Sequence, residues 1–264
     1  MLTRPNNTRH SLNSKSIETE HETPVNTAPT INATELTDTV LRLEPKVAAF
    51  DCDGTLWAGD SGAAFFDWEL ERRLVSDDIA RWARSRYADY RAGKVSEDDM
   101  CGEMVTMHRG MYETDLRRAA IEFFDVHMHE QIFPEMRSLV GRLQQAGCDI
   151  WVVSSTNHWV IRAAMRHFDI PEDRIIAAHV EVDKGRITDR LLRVPSGEGK
   201  PKFIRAMAGK DPDAAFGNSR WDVDMLRMAK HAFAINPNPD LAQLARESGW
   251  PIYVPQVPSE QPAG

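Results

Sequence analysis

The chain has 264 residues, 42% apolar and 27% charged, enough for a generous core with a smaller companion. Its net charge of −8 argues against nucleic acid or an anionic membrane surface as the main partner. No run approaches the ~18 apolar residues of a membrane span.

Residues 1–33 are rich in Thr, Asn, Ser and Glu and nearly free of large apolar groups. Such a segment cannot offset its ordering entropy, so a mobile tail is expected, with a regulatory arm as the other reading. It lacks the continuous apolar stretch of a standard secretory signal. "ATELTDTVLRLEP" reads as a short helix leading in, so 1–44 are taken as tail and lead-in helix. The cysteines Cys52, Cys101 and Cys148 are scattered and form no CxxC pair, as expected of a reduced, cytoplasmic protein.

"KVAAFDC" is a short apolar run bounded by turn chemistry, hence a buried strand. After it the period changes. "SGAAFFDWELERRLV" places Ala63, Phe66, Leu70 and Leu74 on one helical face. "SDDIARWARSRYADYRAG" opens on the capping residue Ser76, and "SEDDMCGEMVTMHRGM" opens on Ser96 with Asp99 three residues later. "ETDLRRAAIEFFDVHMHEQI" is a fourth amphipathic helix. From "PEMRSLVGRLQQAG" onward, helices alternate with the strands "CDIWVVS", "DAAFGNS", "HAFAIN" and "WPIYVP". "RIIAAHVEVDKGRITDRLLRV" reads as strands around an Asp-Lys-Gly turn. The pattern predicts an α/β fold: a Rossmann-like parallel sheet with helices on both faces. The expected core comprises 45–60 and 132–255, interrupted by a helical insert at 61–131 and followed by a tail at 256–264. Ligands of open α/β sheets bind at the carboxyl ends of strands, so the insert would sit over the site as a lid.

The first strand ends on two acids, Asp51 and Asp53, whose side chains point the same way. So placed, they raise each other's pKa unless a divalent cation or a shared proton relieves them. Oxygen ligands imply a hard metal, Mg²⁺ first. A calcium EF-hand loop is excluded, because its required Gly and Glu positions hold Leu56 and Gly62. A solvated acidic turn and a nucleophile–acid pair both remain for "DCDGT" alone. Ser154, Ser155, Thr156 and Asn157 follow another strand, as a phosphate cradle or as routine helix caps. Lys200 stands at a helix start, where the dipole disfavours a cation, so it either seeks an anion or is a surface lysine. Gly217 and Asn218 end a further strand, with Asp222 beyond as a metal ligand or a first-turn residue.

In their order, "FDCDGTLW", "WVVSST", "GEGKPKF" and "GNSRWDVDML" resemble the four motifs of the haloacid dehalogenase-like superfamily. The layout is most similar to its phosphoserine-phosphatase-like branch, subfamily IB, with a helical C1 cap. The resemblance implies Asp51 as nucleophile and Asp53 as the acid that protonates the leaving oxygen and then deprotonates water. Ser154 would bind phosphoryl oxygens, and Lys200 would neutralise charge on Asp51 and the phosphate. Mg²⁺ would be held by Asp51, the Asp53 carbonyl, Asn218 and Asp222. Superfamily members that cleave carbon–halogen bonds lack the second Asp, so Asp53 favours phosphate chemistry. The implied function is a Mg²⁺-dependent phosphomonoesterase acting through an aspartyl-phosphate on a small metabolite. Alternatives are a phosphotransferase or mutase of the same fold, or a weakened phospholigand-binding protein. A monomer or homodimer without nucleic-acid or membrane partners is expected.

The fourth motif departs from the usual Gly-Asp: Asn218 brings no charge, and Asp222 would compensate, directly or through water. Trp221 stands where phosphoserine-phosphatase relatives often carry a polar Asn, which argues against phosphoserine itself. Asp60 lies where that branch has an acid facing the substrate's amine, and it also reads as a helix cap. Ser155, Arg109 and Trp57 complete the candidate substrate contacts. The substrate class thus includes phosphoserine-, phosphocholine- and phosphoethanolamine-like esters. Trp57, Phe65, Trp68, Trp82, Tyr87 and Tyr90 would be insert core, or in part a cation–π box for a quaternary ammonium. His108, His127 and His129 are expected to be exposed or capping.

Overall fold

Val47–Phe50 forms β1, and the alternation of its side chains sorts the core into two faces. Val47 and Ala49 pack with Ile204, Met225 and Leu241, while Ala48 and Phe50 pack with Leu36, Leu139 and Ile161. The computed structural model describes residues 28–257, so most of the expected N-terminal tail and the residues from 258 on lie outside it. In chain order, α1 (Ala33–Arg42) precedes β1, and the helices α2 (Ser61–Glu71), α3 (Asp77–Arg91), α4 (Glu97–Thr106) and α5 (Glu113–Phe123) follow it. Then come α6 (Pro134–Gln145), β2 (Asp149–Asn157), α7 (His158–Met165), β3 (Ile175–Asp183) and β4 (Arg186–Arg193). The chain continues through α8 (Gly199–Ala208), β5 (Ala214–Gly217), α9 (Val223–Met228), β6 (His231–Ile235), α10 (Pro239–Ser248) and β7 (Ile252–Tyr253).

The sheet order is β4-β3-β2-β1-β5-β6-β7. The chain winds outward from β1 in one direction through β2 and β3, then in the other through β5, β6 and β7. That reversal places the crevice of an α/β sheet at the end of β1. Phe50, Phe216 and Phe233 stack across three neighbouring strands, with centroids 4.2 and 5.0 Å apart.

The sheet is parallel as expected except at β4, which runs antiparallel to β3 across the turn that the sequence marks. Lys184 (φ 47°) and Gly185 (φ 77°) form the tight turn between them, and a hairpin can only be antiparallel. Residues 29–31, assigned by composition to the tail, instead pair with the sheet edge. Ile31 donates its N–H to the Ile252 carbonyl at 2.9 Å, and Ile252 donates to the Pro29 carbonyl at 3.0 Å.

The helices α2–α5 form the insert, with a small core of their own at Phe66, Leu70, Val75, Ala83 and Met107. Ser76 and Ser96 cap α3 and α4, as their spacing predicts. The two ends of the insert are tied together: Ala58 donates to the Gln131 carbonyl at 2.9 Å and Phe133 to that of Leu56 at 3.0 Å. A second attachment lies on the β3–β4 hairpin, where Ile187 and the segment Gly110–Met111 exchange main-chain bonds of 2.8 and 3.0 Å. Among the described residues, no helix is long and apolar enough to cross a membrane.

Candidate active site

Phe50 pairs with Val152 on β2 and with Phe216 on β5, so Asp51, Ser154 and Gly217 leave the sheet at the same end. Beyond β1 the chain turns back on itself. Leu56 donates to the Cys52 carbonyl at 2.7 Å, and Gly54 donates to that of Trp57 at 2.9 Å. Gly54 is required here twice over. Its φ is +76°, and a Cβ would stand 1.9 Å from Nδ2 of Asn218.

The turn fixes the two acids in different surroundings. Asp51 is buried; its Oδ1 accepts from Nζ of Lys200 at 2.7 Å and its Oδ2 from the Thr55 hydroxyl at 2.9 Å. Asp53 is held by neutral donors. Its Oδ1 accepts from the Trp57 indole N–H at 2.7 Å and the Ser61 N–H at 2.6 Å, and its Oδ2 from the Thr156 hydroxyl at 2.8 Å.

Lys200, in the first turn of α8, is buried and uses all three ammonium protons. Besides Asp51 it bonds Oδ1 of Asp222 at 2.5 Å and the Val153 carbonyl at 2.9 Å. These partners resolve the misplaced cation: the dipole penalty is offset by two buried carboxylates. Oδ2 of Asp222 accepts from the main-chain N–H groups of Asn218 (3.0 Å) and Ser219 (2.9 Å) and from the Ser219 hydroxyl (3.1 Å). Asp222, expected among the metal ligands, is therefore committed to Lys200 and to its own loop.

Electrostatics follow from this geometry. Burial first, then the charge of Asp222, pushes the Asp51 carboxyl up to about 7 against the pull of Lys200. Burial first, then Asp60, pushes Asp53 up to about 6, opposed by bonds from Ser61 and Thr156. Burial disfavours the Lys200 ammonium, but Asp222 and Asp51 outweigh it and its pKa is raised. Asp51 and Asp222 share one lysine and Asp53 adds a third carboxylate held only by neutral donors, a surplus of negative charge that a divalent cation fits. The available donors are all hard oxygens: the Asp51 carboxylate, the Asp53 main-chain carbonyl and the Asn218 side chain packed against Gly54. This set suits magnesium, with the Asp53 carbonyl and Asn218 as its neutral members.

Ser154 is buried at the end of β2, and its hydroxyl accepts from the Thr156 N–H at 3.1 Å. The β2–β3 register breaks between Ser154 and Asn157, which turns this stretch out of the regular ladder. A cavity opens beside it, walled by α2, α3, α4 and residues Ser155–Asn157. Thr156 is both cavity wall and partner of Asp53, so cavity and carboxylates meet at this residue.

Asp60 and Ser155, both read from the sequence as candidate substrate contacts, line the cavity. Two other expected contacts do not. Trp57 is fully buried and reaches Asp53, because the turn folds its ring back over the loop. Arg109 lies at the surface in a solvent-exposed ion pair with Asp189 at 2.7 Å, away from the cavity wall. Of the aromatic set, Tyr87 and Tyr90 line the cavity, Phe65 is packed in the core, and Trp82 faces solvent. His127 and His129 are exposed as expected, whereas His108 is completely buried with Nε2 donating to Oε2 of Glu69 at 2.6 Å. Sequence reasoning missed Glu69 and Glu97, both on the cavity wall, and read Thr156 as a phosphate-cradle or capping residue, not as the partner of Asp53. Only Glu69 carried a signal, as an acid set between Phe66 and Leu70 on the apolar face of α2.

Comparison with known proteins agrees with this geometry. A histidinol-phosphatase of Neisseria meningitidis serogroup C is 27% identical over 217 residues, covering 78% of this chain and 97% of the relative. Phosphoserine phosphatase SerB1 of Mycobacterium tuberculosis is 26% identical over 215 residues, covering 78% and 69%. A solved protein of unknown function from Bordetella pertussis Tohama I superposes with a TM-score of 0.69 at 24% identity, covering 78% of this chain and 97% of that one, so the two share a fold. Residues 48–227 match the haloacid dehalogenase-like hydrolases. That span takes in the ends of β1, β2 and β5, and the chain belongs to the haloacid dehalogenase-like hydrolase family.

Proposed function

We propose that the protein is a Mg²⁺-dependent phosphomonoester hydrolase that forms an aspartyl-phosphate on Asp51. Its substrate is a small phosphometabolite with an amine in the alcohol part. Residues 45–60 and 132–255 serve as catalytic core and 61–131 as the substrate-selecting insert. One observation carries the reading: neighbouring carboxylates stand in different environments, Asp51 against the Lys200 ammonium and Asp53 among neutral donors. Paired acids divided in this way are suited to separate roles, one as nucleophile and one as proton carrier.

An Asp51 oxygen attacks phosphorus and the bond to the alcohol oxygen breaks, with Asp53 giving that oxygen its proton. Water then attacks the acyl-phosphate, Asp53 takes the water's proton, and inorganic phosphate leaves with the Asp51 carboxylate restored. Oδ2 of Asp53 bears a single donor, the rotatable Thr156 hydroxyl, and is the oxygen free to pass a proton. Lys200 holds Asp51 in place and balances charge as the phosphoryl group arrives; Ser154 stands at the β2 end to bind its oxygens. Mg²⁺ would be held by the Asp51 carboxylate, the Asp53 carbonyl and Asn218, and supplies charge neutralisation at the phosphoryl oxygens.

The amine is supported by the cavity wall, where Asp60, Glu69 and Glu97 meet no Lys or Arg. The Neisseria relative bears the name of an enzyme for a phosphate ester of an amino alcohol, consistent with this class. The test is phosphate release from 4-nitrophenyl phosphate and from amine-bearing esters. Release should be abolished by EDTA, restored by Mg²⁺, and reduced more than about a thousandfold in Asp51→Asn. Turnover that survives Asp51→Asn would overturn the assignment.

A further inference from the structure

We infer that the cavity reads its ligand at two points, and that Glu69 determines specificity for a second nitrogen group beyond the first amine. The inference rests on the phosphatase reading and narrows its substrate. The preferred ester carries two protonated or N–H-donating nitrogen groups in its alcohol part and no carboxylate.

The cavity acids form a gradient: Asp60 is exposed, Glu97 half-buried, and the Glu69 side chain only 2% exposed. They differ in what the protein already gives them. Glu97 is engaged, since its Oε1 accepts from the Ser155 hydroxyl at 3.3 Å and its Oε2 from the Tyr90 hydroxyl. It thereby ties the insert to the end of β2. Asp60 uses one oxygen to cap α2, through the Ala63 N–H at 2.8 Å. Glu69 accepts from His108 at Oε2, and among the described residues no group donates to its Oε1. Spare acceptor capacity therefore sits at the mouth, on Asp60, and at the floor, on Glu69.

A buried carboxylate with a free oxygen is unfavourable unless a donor reaches it. His108 locks the other oxygen and is itself fixed, with its ring edge-on to Trp159 at 5.8 Å and fully buried. The carboxylate cannot turn away to solvent, so a ligand donor is what it is placed to meet. Phe66, Met100 and Met104 provide an apolar wall for a short carbon skeleton, and Tyr87 and Tyr90 add aromatic lining. Among the described residues no Lys or Arg lines the cavity, so a ligand carboxylate would meet carboxylates there.

The test uses the full chain with Mg²⁺. kcat/KM is measured for histidinol phosphate (two nitrogen groups), phosphoethanolamine (one amine), O-phosphoserine (amine and carboxylate) and 4-nitrophenyl phosphate (none). The two-nitrogen ester should exceed phosphoethanolamine by about tenfold or more and phosphoserine by about a hundredfold. Glu69→Gln should lower kcat/KM for the two-nitrogen ester, chiefly through KM, about ten- to hundredfold more than it does for phosphoethanolamine or the aryl phosphate. Asp60→Asn should weaken both amine esters. Equal loss on all four substrates in Glu69→Gln would overturn the inference, as would phosphoserine being preferred. Should Glu69→Gln not fold, competitive inhibition of the wild type decides: histidinol must inhibit at least about tenfold more tightly than ethanolamine, and equal inhibition refutes the second point. Hydrolysis of the esters with no preference among them defeats this inference alone; no hydrolysis of any defeats the phosphatase reading as well.

Discussion

Replacing Lys200 with methionine isolates the charge balance at the end of β1. The ammonium bonds Asp51, Asp222 and the Val153 carbonyl, and the side chains of the two acids are 10% and 1% exposed. Methionine fills similar space but leaves two buried carboxylates facing each other without a cation. Breaking a buried pair in this way costs about 3–5 kcal/mol. At roughly 2–4 °C per kcal/mol for a chain near this size, the melting temperature should fall by about 6–20 °C. The second variant, Lys200→Met with Asp222→Asn, removes the repulsion and keeps an oxygen for the Asn218 and Ser219 N–H groups, so at least half of the loss should return. Neither variant should release phosphate. Urea and thermal unfolding of wild type, single and double variants in EDTA at neutral pH would decide. A single variant within about 1 kcal/mol of wild type, or a double variant no more stable than the single, refutes the charge argument.

Trp57→Phe keeps a ring against Phe124, 5.3 Å away, and deletes one donor to Asp53. At about 1.5–3 kcal/mol for a bond to a charged group, kcat/KM should fall about ten- to hundredfold with folding intact. The loss should be larger for alkyl than for aryl phosphates, whose leaving oxygen needs less protonation. Gly54→Ala should lose about 1–2 kcal/mol from its left-handed φ of +76° alone, and it displaces Asn218. Calorimetric Mg²⁺ titration should show weaker binding there and tighter binding in Asn218→Asp. Asp213 is held down at about 2 by Lys230, against partial burial, with help from the Val47 and Lys46 N–H groups. Its folded pKa lies below the ordinary 3.8, so its stabilisation is complete above about pH 4 and fades as pH falls towards 2. Acid-unfolding curves of wild type and Asp213→Asn should differ by a constant amount above pH 5 and converge near pH 2.

Local chemistry made the frame and the paired carboxylates at the end of β1 legible in the sequence. An apolar run broken by "DCDGT", a strand ending at Ser154, a lysine at a helix start and Gly217-Asn218 each announce themselves through neighbours a few residues away. Periodicity likewise marked the insert, and the Asp-Lys-Gly turn marked the hairpin that makes β4 antiparallel. What periodicity reports is a face, not the partner across it. Glu69 and His108 meet across 39 residues, Thr156 and Asp53 across 103, and Lys200 and Asp51 across 149. Asp222 read as a metal ligand from its spacing, and only folding turned it onto Lys200 and its own loop. Arg109 looked like a ligand contact from its place in the insert, and packing left it outside with Asp189. The sequence therefore determined the strand-end chemistry, because turns and helix starts are decided within a few residues. The tertiary structure alone decided which acids are occupied and which remain open to a ligand, because that depends on donors brought together from distant parts of the chain.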